Sequence, residues 1–272
     1  MEKHDLIRAA EDFIKQAPDN YILQKTAISE RVVGLKLFDA PILAFGAADD
    51  EYFRLLKQHS AVGEHFLLPE EWLPGAKTVI SVFLPFTEEV RKGNGRDMSW
   101  PSEEWLHARI EGQILLQSLC AYLKKTLNDE GYPSIVPIME ERFWSNTGSQ
   151  DHEAKFSSNW SERHVAFVCG HGTFGLSKGL ITQKGTAGRF GSIITTLRLE
   201  PDIREYTDLY EYCTMCGRCA KNCPVGAISR EKGKDHQLCS DFLDETKAVH
   251  NPRYACGKCQ VRVPCESKIP HK

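Results

Sequence analysis

The 272 residues carry 37 acidic and 34 basic side chains, a formal charge of −3, which argues against a broad nucleic-acid-binding face. A hydrophobic content of 41% and a charged content of 26% exclude a disordered or fibrous chain and fit a globular protein long enough for two domains. The strongest apolar run, residues 79–84, is far short of a membrane span, and the N-terminus shows neither a twin-arginine nor an apolar signal core. With ten cysteines and no export signal, the expectation is a cytoplasmic protein whose thiols serve metal chemistry.

Taken in order, Leu6, Ile7, Ala10, Phe13, Ile14 and Ala17 form a helical stripe that stops before Pro18. Residues 42–45 read as a short strand, followed by Gly46-Ala47-Ala48 and a helix over 49–59. The β-branched run 79–84 lies between Pro74-Gly75 and Pro85 and reads as a buried strand. The longest helix follows, with Ser102 as cap, Glu103 and Glu104 at its positive end and Gly131 closing it. Cys120 sits on that helix as a small buried thiol. Further strands are expected over 134–139 and 192–199, giving an α+β fold whose first domain, 1–204, is a layered unit of helices and strands. A boundary near 202–208 precedes a second domain, 205–272, where the cysteine density rises abruptly.

Seven glycines crowd residues 170–191, and Gly170-His171-Gly172-Thr173-Phe174-Gly175 matches G-x-G-x-x-G. A dinucleotide fingerprint must open a helix and meet an acidic residue about 20 positions later. Gly179 and Gly185 interrupt any such helix, and the expected position falls among threonines, so the motif fails that test. Two readings stay open: turns that need positive φ, or a bare backbone surface against which a large planar cofactor lies. His171 is read as bonding a backbone carbonyl, and Cys169 as packed.

The chemistry is concentrated in Cys213, Cys216, Cys219, Cys223 and Pro224, a C-x2-C-x2-C-x3-C-P run. Three thiolates at x2 spacing surround one cubane, while the fourth, turned away before proline, serves a second cluster. Cys239, Cys256, Cys259 and Cys265 supply the remaining ligands, so eight thiolates account for two [4Fe-4S] clusters. Structural zinc uses two C-x2-C pairs separated by a longer loop, not three successive x2 steps followed by Cys-Pro.

These residues resemble the epoxyqueuosine reductases and reductive dehalogenases. Leu73-Pro74-Gly75, Val79-Ile80-Ser81-Val82, Glu162-Arg163 and the glycine loop are similar to that family's wording. The resemblance implies a cobalamin without its lower base, bound between the two domains beside Gly170, Gly172, Gly175 and Ser177. It also implies that Cys213, Cys216, Cys219 and Cys265 hold one cluster and Cys223, Cys239, Cys256 and Cys259 the other. Three features depart from it. Phe156 stands where the epoxyqueuosine reductases carry an acid, the chain stops seven residues after Cys265, and the closing spacing is Cys259-x5-Cys265. Epoxyqueuosine reduction itself is therefore not expected.

The sequence thus predicts an iron–sulfur oxidoreductase that passes electrons through two clusters to a cofactor or substrate in the N-terminal domain. The alternative is an electron carrier for a partner protein, with no other cofactor. A low-potential donor such as ferredoxin or flavodoxin, a small-molecule or protein substrate, and no nucleic acid or membrane partner complete the expectation. Tyr132, Glu140, Glu141, Asp151, His152 and Glu153 are candidate proton sources, none of them assigned.

Overall fold

The computed structural model describes residues 1–147 and 154–271. Helix α1, Lys3–Gln16, buries Leu6, Ala10 and Ile14 on one face. Strand β1, Ile42–Ala47, leads to the short helices α2, Glu51–Leu55, and α3, Pro69–Trp72. The Asp50 carboxylate caps α2 by accepting from the Tyr52 amide at 2.9 Å. Strand β2, Thr78–Pro85, is buried at all eight positions and precedes helix α4, Glu88–Asn94. Helix α5, Glu103–Asp129, begins where Ser102 Oγ accepts from the Trp105 amide at 3.3 Å. After it come β3, Ser134–Ile135, β4, Ser145–Asn146, β5, Ser157–Ser158, and helix α6, Glu162–Val168. The glycine-rich stretch forms β6, Gly172–Phe174, β7, Leu180–Thr182, and β8, Gly188–Thr195.

The main sheet has the order β1-β2-β8-β3 and is antiparallel throughout. Because side chains alternate across a strand, its two faces feed separate cores. Ile80, Val82, Leu84 and Ile193 join Leu106, Leu116 and Leu119 of α5 in one core. Val79 and Ile194 join Phe53, Phe66, Trp160 and Val165 in the other, below α2 and α6. The result is an α+β fold of helix, sheet and helix layers. Among the described residues, no helix is long and apolar enough to cross a membrane.

Three sequence expectations change in extent. The strand expected over 134–139 pairs with β8 only through Ser134 and Ile135, since Pro137 opens a 3-10 turn, Pro137–Met139. The one expected over 192–199 instead begins at Gly188, opposite Pro85, and ends at Thr195. The helix expected over 49–59 is a five-residue piece. Cys120 and Cys169 are fully packed, and burial raises both thiols far above their ordinary range.

Beyond residue 205, regular structure is sparse: helix α7, Arg218–Lys221, the hairpin of β9, Ile228–Ser229, with β10, Gly233–Lys234, and helix α8, His236–His250. This segment is stitched to the sheet layer. The amides of Thr186 and Ala187 donate to the carbonyls of Cys265 and Glu266 at 2.9 and 3.2 Å. The buried Lys258 ammonium donates to Asn94 O and Oδ1 at 2.7 and 2.8 Å, and Asn94 Nδ2 donates to Cys256 O at 2.9 Å. Arg253 binds Glu111 of α5 and the Thr26 carbonyl.

Candidate iron–sulfur site and adjoining cleft

The first cysteine loop turns through left-handed backbone at Met215 (φ 50°) and Gly217 (φ 74°), which folds Cys213, Cys216 and Cys219 around one hollow. Cys265 arrives from far along the chain and lines the same hollow, together with Gly175, Ser177, Met215 and Pro264. Asn222 Nδ2 donates to Val261 O at 2.9 Å and ties the two cysteine loops together. Cys223 lies outside the hollow and its sulfur accepts from the Ala227 amide at 3.2 Å. Cys239, Cys256 and Cys259 line a second cavity of about 230 Å³. Left-handed Gly257 (φ 71°) permits that loop, and a Cβ built there would lie 2.1 Å from the Trp105 ring.

Burial pushes the thiols of Cys256 and Cys265 up to about 12 and that of Cys219 up to about 11, with neighbouring cysteines adding to each shift. Iron must therefore displace protons on binding. The cysteines surround hollows instead of converging on a point. Among the described residues, no three His, Cys, Asp or Glu side chains are placed to hold a single metal ion. Four sulfurs around a hollow suit a polynuclear cluster, which needs room for iron and sulfide between its ligands.

The two hollows differ in their surroundings. The first is walled by apolar groups, the second by Arg109, Arg163, Arg189 and Lys234. At Arg163 the second cavity meets two others to form one cleft between α6 and the cysteine-bearing segment. Tyr52, Phe167, Phe174 and Tyr210 line its widest limb. Arg163 is solvent-accessible yet surrounded by protein, as a side chain projecting into a cavity must be. His164, whose Nδ1 lies 2.7 Å from Ser161 Oγ, is lowered to about 4 by burial and by Arg163 and Lys178.

The glycine-loop residues do not meet in this cleft. Gly175 and Ser177 border the first cysteine hollow, while Gly170 lines a separate cavity with Ile42 and Asp202. Gly172 lies inside the β6–β7 pair, where a Cβ would fall 1.9 Å from the Ile181 carbonyl oxygen. His171 is buried with Nε2 3.0 Å from Ser81 O, and burial lowers it to about 4. Phe156 lines the cleft with positive φ (56°), its ring 5.6 Å from that of His236. Among the candidate proton sources, Glu140 lies 3.7 Å from Lys124 and Tyr132 packs on the first core. Asp151, His152 and Glu153 lie outside the described residues. The cations of the cleft escaped the sequence reading: Glu162-Arg163 was visible only as a resemblance, and α5, β8 and β10 supply the rest.

Beside Arg163, both carboxyl oxygens of Glu162 are buried without a partner. Burial pushes this carboxyl up to about 7 from 4.5, an effect that Ser192 only partly offsets. A folded-state value above the unfolded one gives stability that is present below about pH 4.5 and lost as pH rises to about 7. Glu162→Gln removes that dependence. Across this window the wild type loses about 3 kcal/mol relative to the variant. Thermal melts of both proteins across the pH range check this, and parallel curves contradict it.

The 4Fe-4S binding domain family matches residues 206–229. Epoxyqueuosine reductase of Bacillus cereus is 27% identical over 216 residues, covering 72% of this chain and 50% of that protein. The chain thus spans about half the length of this curated relative. An epoxyqueuosine reductase solved with an epoxyqueuosine-modified tRNA stem loop superposes with a TM-score of 0.53 at 20% identity, covering 97% of this chain and 65% of that one. A reductive dehalogenase structure, described as suggesting a mechanism for B12-dependent dehalogenation, gives 0.53 at 18% identity over 84% of this chain and 30% of its own.

Proposed function

We propose, for a chain that belongs with the epoxyqueuosine reductases and reductive dehalogenases and is an iron–sulfur oxidoreductase similar to them, that two [4Fe-4S] clusters deliver electrons into the cleft beside Arg163. Cys213, Cys216, Cys219 and Cys265 would hold one cluster, and Cys223, Cys239, Cys256 and Cys259 the other. The observation that carries this reading is the second cysteine hollow, which opens into the cleft through Arg163. When bound, the clusters supply one-electron storage and transfer. Residues 205–272 act as the electron-carrying part and 1–204 as the part that receives the cofactor or substrate.

The chain's own residues define what the cleft does. Arg163 and Lys234 place positive charge beside the second cysteine hollow; burial raises the Cys259 thiol, and Lys234 partly offsets that rise. His164, held neutral, and Ser161 offer a hydrogen-bonding pair at the wall. A corrinoid is proposed as the cleft's cofactor. Support comes from the three joined cavities, which give the cleft room for a large ring system beside the second cysteine hollow. It comes also from the B12-dependent chemistry described for the structurally similar dehalogenase. A low-potential ferredoxin or flavodoxin is the proposed donor. The substrate is left open to small molecules, proteins and nucleic acid, since one structural relative is seen with a tRNA stem loop.

Anaerobic reconstitution followed by iron and sulfide analysis, then optical titration with hydroxocobalamin, tests both halves. About eight irons per chain and a shifted corrinoid spectrum are expected. Saturation at four irons, or zinc in their place, overturns the two-cluster reading. Eight irons without corrinoid binding leaves an electron carrier.

A further inference from the structure

The charges of the cleft are unbalanced in a way the clusters do not explain. Arg109, Arg163, Lys178, Arg189 and Lys234 line its three limbs, and no described lining residue is an Asp or Glu. This occurs in a chain with more acidic than basic residues. None of the five makes an ion pair with a described residue. Arg163 Nη1 donates to the Lys178 carbonyl at 3.0 Å, and Arg189 Nε to the neutral Gln113 Oε1 at 3.0 Å. Arg109 stacks on the Tyr254 ring at 4.4 Å, and its Nε is buried without a hydrogen-bond partner. Lys178 Nζ donates to the Tyr210 hydroxyl at 2.6 Å. Cations gathered around a cavity repel one another, an arrangement that a ligand of opposite charge relieves.

Thiolates at Cys239 and Cys259 answer part of this charge, since Arg163 and Lys234 face them. Lys178 stands on the widest limb, away from the second cysteine hollow, among Tyr52, Phe167, Phe174 and Tyr210. We infer that this limb binds an anionic ligand, a phosphate or carboxylate compound whose charged end sits between Arg163 and Lys178 and whose body lies along the aromatic wall. The inference rests on the reading of the cleft as the place where electrons are delivered, and it names the class of substrate that takes them up at the end of the chain. Planar, multiply donating Arg163 suits either oxyanion; Lys178 adds a point charge.

The test is calorimetric titration of the iron-loaded protein with inorganic pyrophosphate and, separately, with benzoate. Saturable binding that weakens as salt is raised is expected for at least one of them. Tighter binding of pyrophosphate assigns a phosphate ligand, and tighter binding of benzoate a carboxylate. Lys178→Gln should weaken binding tenfold or more with iron content unchanged, and Arg163→Gln should weaken it at least as much when compared at equal iron content. Lys184→Gln, an exposed lysine outside the cleft lining, should change nothing. If neither probe binds saturably, or Lys184→Gln costs as much as Lys178→Gln, the inference falls. It also falls if Lys178→Gln binds as the wild type does while Arg163→Gln loses iron, because the arginine then serves the cluster alone. Full iron with no anion binding rejects this inference only, whereas a half-loaded protein rejects the proposed function.

Discussion

Cys265→Ala is expected to hold about four irons per chain where the unchanged protein holds about eight. Cys265 lies more than forty residues from Cys213, Cys216 and Cys219, yet it shares their hollow and no part of the cavity lined by Cys239, Cys256 and Cys259. Removing one sulfur of four leaves an open edge on a cluster that must be enclosed by thiolates. A pair of double variants shows which cluster is lost. Adding Cys213→Ala to Cys265→Ala should remove no further iron, whereas adding Cys256→Ala should bring the count near zero. If the first pair empties the protein and the second does not, the ligand sets are wrongly divided. Cys265→Ala should also lower the melting temperature, because metal binding and folding of the loops are one equilibrium.

Gly172→Val should unfold the sheet layer outright, costing more than about 4 kcal/mol. Gly172 has φ 151°, and a Cβ there would meet the Ile181 carbonyl oxygen at 1.9 Å and the Thr182 Cα at 3.2 Å. Both are backbone atoms of the paired strand β7, so the clash cannot be relieved by a rotamer change. Gly175 is a control three residues away: its Cβ would meet the flexible Ile181 Cδ1 at 3.3 Å and the Gly179 carbonyl oxygen at an ordinary 3.6 Å, and its φ is not positive. Gly175→Ala should cost less than about 1 kcal/mol. Melts of the two iron-loaded variants, with and without hydroxocobalamin, decide the matter. A Gly172→Val protein that melts like the wild type and loses only corrinoid binding would return this glycine to the cofactor surface.

How much of this was legible in the sequence depended on how local each signal is. The run from Cys213 to Pro224 is a single loop, so its spacing alone indicates a cluster. Strand β2 was readable because residues 79–84 are β-branched and bounded by proline and glycine. The shortening at Pro137 follows from its missing amide, a local rule that the β-like composition of 134–139 concealed. The glycines of 170–191 were ambiguous because a tight hairpin and a bare ligand surface both require the same residue. At Gly172, the nearest atoms belong to β7. The cations of the cleft could not be read at all. Arg109, Arg163, Arg189 and Lys234 lie on α5, α6, β8 and β10, and only the folded chain brings them together.

The amides of Thr186 and Ala187, which donate to the carbonyls of Cys265 and Glu266, lie immediately before β8. That junction couples the start of β8 to the Cys265 loop. Without a cluster the Cys265 loop keeps only its protein contacts, among them Asn222 Nδ2 to Val261 O and the Arg91–Glu266 ion pair, so the strand start it covers is expected to open more often. Quality-control proteases act on such openings, and a small loss of stability is enough to change abundance several-fold. Cells short of iron are then expected to clear the empty protein rather than accumulate an inactive pool.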